Sequence, residues 1–94
     1  MSGERPHTVE VSLAAEDNAT LLRLVSTLHR RGVHVLEATL SRPQGRPTFG
    51  ATFLASEARA QTVAASLDRL VDVVGVDVRD ASGSLSRGAI PAGA

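Results

Sequence analysis

The stretch Leu67–Val78, LDRLVDVVGVDV, constrains this chain more than any other. In it an apolar helical stripe stops and becomes, within two or three residues, a valine-rich strand. Leu28–Val35, LHRRGVHV, makes the same change through a glycine. Two abrupt helix-to-strand junctions frame a small domain in which each helix must fold back over the strands that flank it.

The periodicities between the junctions give the order of elements. Val9, Val11 and Leu13 alternate with polar residues, the period of two of a strand with one buried face. Asp17 or Asn18 then caps a helix whose apolar stripe is Leu21, Leu24, Val25 and Leu28. That helix ends with His29, Arg30 and Arg31 at the negative end of its dipole and Gly32 in the left-handed position. Residues 33–40 read as a second strand whose apolar parity shifts midway, so either a bulge re-aims the side chains or both faces are covered. Residues 42–47 form a Pro- and Gly-rich loop, and Phe49, Ala51 and Phe53 mark a third strand. Ser56 caps a second helix with a stripe of Ala60, Val63, Ala64, Leu67 and Leu70. A last strand places Val74, Val76 and Val78 on one side, Gly75 and Asp77 on the other.

This order predicts an α+β, ferredoxin-like βαββαβ sandwich: a four-stranded antiparallel sheet with two helices on one face. The domain is expected over residues 7–80, with flexible segments at 1–6 and 81–94. One sheet face is left without helices. Val33 and Val35, if they point that way, would be exposed apolar side chains, a sign of oligomerisation.

Composition removes most chemistry. Ten acidic residues balance ten basic ones, all arginine, so no global field draws in nucleic acid or an anionic membrane. With no cysteine there is no disulfide, thiolate metal site or cysteine nucleophile. No apolar run reaches a membrane span and the amino terminus has no signal h-region, so a cytoplasmic location is expected. His7, His29 and His34 lack zinc spacing and are expected to face solvent. Asp72, Asp77 and Asp80 could cluster at one sheet end, but a solvated edge explains them equally. No serine has a nucleophile-elbow context. The two phenylalanines are in phase with core residues, so an RNA-stacking platform is not expected. The loop after the first strand is acidic and glycine-free, unlike the phosphate loop of an acylphosphatase.

The strand, acidic loop, helix, Arg-Arg-Gly and strand of residues 8–40 resemble an ACT domain. Within that group, LHRRGVHVLEATLSRP and LDRLVDVVGV are similar to segments of acetolactate synthase regulatory small subunits, with Arg69 where lysine is usual. The likeness spans residues 8–79 and looks like the short, single-ACT form. It implies a non-catalytic homodimer that binds and activates the catalytic large subunit in branched-chain amino acid biosynthesis. Thiamine diphosphate, magnesium and flavin would belong to that partner, and this chain would hold no cofactor or metal. A stand-alone homodimeric amino-acid sensor is the alternative.

The resemblance puts an effector site at Glu16, Asn18, Ala19, Thr20 and Leu21, and a self-association edge at the second strand, with Val33, Val35 and Glu37. Where amino-acid-sensing members carry an asparagine followed two residues on by Pro-Gly, this chain has Glu16, Asn18 and Ala19. A carboxylate and an added Cβ both oppose a ligand carboxylate there.

Overall fold

The structure, a computed structural model, describes residues 3–15 and 17–81. Its elements follow the expected order: β1 (Arg5–Leu13), α1 (Asn18–Arg30), β2 (His34–Ser41), β3 (Thr48–Ala55), α2 (Glu57–Asp68) and β4 (Val73–Asp80), with a short 3₁₀ turn, Pro43–Gly45, between β2 and β3. The strands form one antiparallel sheet in the order β2-β3-β1-β4. This is the ferredoxin-like sandwich.

The two central strands supply most of the core. Register puts Val9 beside Ala51, Val11 beside Phe49 and His7 beside Phe53, and these side chains meet Leu24 and Leu28 from α1 and Ala60, Val63 and Leu67 from α2. The other face carries Thr8, Glu10, Ser12, Thr48, Thr52, Glu37, Thr39 and Asp77 in register, with the Thr8 and Thr52 hydroxyls 3.0 Å apart. It is a polar face that water can cover, so it does not itself call for a partner.

Local chemistry sets the helix ends. Asp17 rather than Asn18 is the cap of α1, accepting the Thr20 N–H at 2.8 Å; Ser56 caps α2 by accepting the Arg59 N–H at 3.2 Å. Gly32 follows α1 at φ +70°, the left-handed position that suits glycine. The helices run antiparallel, and each junction is tied. Arg59 Nη1 donates to the Arg31 carbonyl at 2.8 Å, satisfying an orphan acceptor past the end of α1.

Several expectations are corrected. The buried arc of α1 is Thr20, Leu24, Thr27 and Leu28, with Leu21 half-buried, whereas Val25 is 51% exposed. The helix is turned toward α2, and the two threonines enter the core because their hydroxyls are satisfied, Thr27 by the Arg23 carbonyl at 2.8 Å and Thr20 by Asp72 at 3.2 Å. In β4 a register shift opposite Ser12 and Leu13 brings Val73 into the place expected of Val74, which is 69% exposed. His7 does not face solvent: it is 3% exposed and stacked on Phe53, its Nδ1 donating to the Arg5 carbonyl. Its Nε2 is buried without a hydrogen-bond partner among the described residues. Asp72 precedes β4 and Asp80 ends it, roughly 25 Å apart by strand rise, so the three aspartates do not cluster.

The boundaries also move outward. Arg5 and Pro6 belong to β1, and Ala81 is buried with its N–H on the Pro6 carbonyl, 2.9 Å away. Arg5 bridges Glu57 and Asp80 at 3.5 and 3.4 Å, a half-exposed arrangement that adds little stability. The proposed tail from Ser82 onward lies outside the described residues. No helix among the described residues is long and apolar enough to cross a membrane.

Phe53 is fully buried between both helices and β1. Phe53→Ala is expected to cost about 3–5 kcal/mol of folding free energy. The chain has neither Trp nor Tyr, so urea unfolding is best followed by far-UV circular dichroism. A loss below about 1 kcal/mol would show that the core closes around the gap.

Candidate functional site

Two places could carry function, the start of α1 and the outer edge of β2. At the first, the loop after β1 is anchored by backbone bonds: Leu13 N–H to the Pro47 carbonyl at 3.0 Å and Ala14 N–H to the Asp72 carbonyl at 2.8 Å. Asp72 adopts φ +71°, a left-handed conformation that non-glycine residues rarely take, and this turns its carboxylate onto the Thr20 hydroxyl. The start of α1 is thereby fastened to the turn before β4.

Of the residues expected to hold an effector, Glu16 lies outside the described residues. Asn18 and Ala19 are exposed in the first helical turn, Leu21 is half-buried against the core, and Thr20 is buried with its hydroxyl committed to Asp72. The structure brings forward Asp17, read from the sequence only as a cap. Its carboxylate sits where a helix start attracts anions. The Thr20 backbone N–H holds its pKa below the usual 3.8, with Arg23 a smaller influence. The Thr20 N–H at this helix start is thus taken by the chain's own carboxylate.

The second place is β2, an outer strand whose eight residues are all exposed. Register slips between Val35 and Glu37, making Leu36 the extra residue of a bulge. Of the two readings left open for this strand, the bulge is therefore the one observed. Val35 pairs with Phe53, which places it on the helix side of the sheet rather than the open face, and Glu37 pairs with Thr52 on the open face. Neither helix reaches far enough to cover this margin. Val33 and Val35 line a groove of about 340 Å³ with Val25 and His29 of α1, and Leu36 and Leu40 continue the apolar margin along the strand.

The opposite edge, β4, is guarded differently. It carries the Val74 bulge and the charged Asp77, Arg79 and Asp80, against the single charge Glu37 on β2. Among the described residues no three His, Asp or Glu side chains are grouped to hold a metal.

No family model matches the chain, and no curated protein does. Solved structures do. The ACT domain of GTP pyrophosphokinase from Chlorobium tepidum superposes with TM-score 0.68 at 12% identity, over 81% of this chain and 99% of that one. The chain shares its ferredoxin-like fold with that ACT domain. The acetolactate synthase small subunit from Thermotoga maritima matches at TM-score 0.70 and 18% identity, over 85% of this chain and 50% of that one. The regulatory subunit of aspartate kinase from Thermus thermophilus matches at TM-score 0.65 and 16% identity, over 98% and 67%. Within this ferredoxin-like fold, the helix start and the β2 margin are the two candidate sites.

The Asp17 arrangement predicts a pH signature. A carboxylate whose folded pKa is lowered adds stability above its unfolded pKa, and that contribution disappears as pH falls through the folded value. Asp17→Ala should therefore melt below the wild type at pH 7, and the gap should narrow as pH falls below 3.8. Thermal melts of both proteins by circular dichroism test this; a gap independent of pH would remove the charge from the cap's contribution.

Proposed function

We propose that the chain is a non-catalytic regulatory small subunit of acetolactate synthase, acting in the cytoplasm. It pairs with itself through β2, docks on the catalytic large subunit and raises that partner's activity by favouring its active arrangement. The observation that carries this reading is the placement of the two resembling segments. LHRRGVHVLEATLSRP covers the end of α1 and the whole exposed margin of β2, and LDRLVDVVGV covers the junction from α2 to β4. The likeness in fold to the Thermotoga maritima small subunit supports it.

The β2 margin suits self-association. A second copy laid antiparallel along β2 would continue the sheet and cover Val35, Leu40 and the α1 side chain Val25. Asp17 speaks against the alternative of a sensor that takes an amino-acid carboxylate at the start of α1. In this reading valine does not bind there, and activation needs no effector.

Val35→Lys should convert the pair to monomers, read as a halved mass in light scattering at micromolar concentration; an unchanged mass would remove β2 as the edge. The function itself is tested by acetolactate formation. The purified large subunit from the same organism should turn over faster with this chain added, and no change in rate would leave the regulatory reading without support. Calorimetric titration with valine should give no heat of binding, whereas saturable binding would favour the sensor.

A further inference from the structure

The outer surface of the helix layer has a charge arrangement that folding does not require. All thirteen residues of α1 lack a carboxylate, while Arg23 and Arg30 stand seven residues apart on the side turned toward α2. They border a depression of about 390 Å³ with Leu22 and Leu70, and Leu22 is 66% exposed. Arg59, whose guanidinium reaches the Arg31 carbonyl, borders a second depression with Arg31 and Thr62. The two carboxylates of α2 are turned away: Glu57 is held by Arg5, and Asp68 lies beside Val76 and Asp77 on the β4 side. Of the acids at the start of α1, Asp17 is engaged by the Thr20 backbone and Asp72 by the Thr20 hydroxyl.

We infer that this furrow is the docking surface for the catalytic partner, and that it receives an acidic amphipathic helix of that partner. The inference rests on the reading under Proposed function and adds the surface and the chemistry of what binds it. Arg23 and Arg30 are about 10.5 Å apart along the helix axis, so carboxylates at i and i+7 of a helix lying along the furrow match them. An apolar side chain between those carboxylates seats against Leu22 and Leu70, as a helix does in a groove. Val25 lies on the other flank of α1, toward β2. The docking furrow and the self-association margin are thus separate, and both can be filled at once.

The test is titration calorimetry of the full chain against the purified large subunit of acetolactate synthase from the same organism. Arg23→Glu/Arg30→Glu should weaken binding at least about tenfold. Arg23→Gln/Arg30→Gln should weaken it about threefold, without the repulsion that charge reversal adds. Both variants should keep the wild-type dimer mass and circular dichroism spectrum, which a merely structural role would not allow. If the wild type binds and both variants bind equally well, the furrow is not the docking surface, although the regulatory reading stands. If the wild type does not bind the large subunit, both proposals fall together. A single-stranded DNA 20-mer is the control polyanion; tighter binding to it than to the large subunit, lost in the charge-reversed variant, would overturn the protein-docking assignment.

Discussion

The pairing of β1 with β3 on one side and β4 on the other is the interaction on which the rest of the structure depends. It aligns Val9 and Val11 between Ala51 and Phe49 on one flank and Val78 and Val76 on the other, forming the apolar floor on which both helices rest. A slip of one residue would turn every one of these side chains to the wrong face. The ladder continues to Ala81, whose buried position gives the last strand an anchor beyond its charged end. The domain is small, so its stability is concentrated in this one layer.

The helices add order at the ends rather than bulk in the middle. At one end Thr20 and Ala14 both bond to Asp72, which ties the end of β1 and the first turn of α1 to the turn before β4. At the other, Arg59 from α2 reaches the carbonyl of Arg31. These ties set the antiparallel helix pair above the sheet and leave the furrow between them open to solvent.

Much of this was legible because the chain switches cleanly between periods of two and 3.6, and because Ser56 and Gly32 are local signals whose chemistry acts within a few residues. What escaped depends on neighbours. The stripe through Leu21, Leu24 and Val25 shows that α1 is amphipathic, but its rotation follows from α2 and Asp72, which admit Thr20 and Thr27 in place of Val25. A bulge is a one-residue event, visible as a parity change at Leu36 but hidden in the valine run around Val74. His7 was misread because nothing in its surroundings along the chain reveals that Phe53 lies across from it. At the start of α1 the sequence offers Asp17 and Asn18 alike as caps, and only the folded backbone shows that Asp17 takes the Thr20 N–H.

The two outer strands differ in a way that bears on how large an assembly can become. A sheet with equivalent bare margins on both sides can add copies head to tail without end, and such growth produces fibres. Here one margin is long and apolar, while the other is kinked at Val74 and lined with Asp77, Arg79 and Asp80. An assembly joined through two β2 strands uses the same surface on both copies and turns only the kinked, charged margins outward. Such an assembly would be self-limiting: growth would stop at two without a cap, through the placement of one extra valine and three charges.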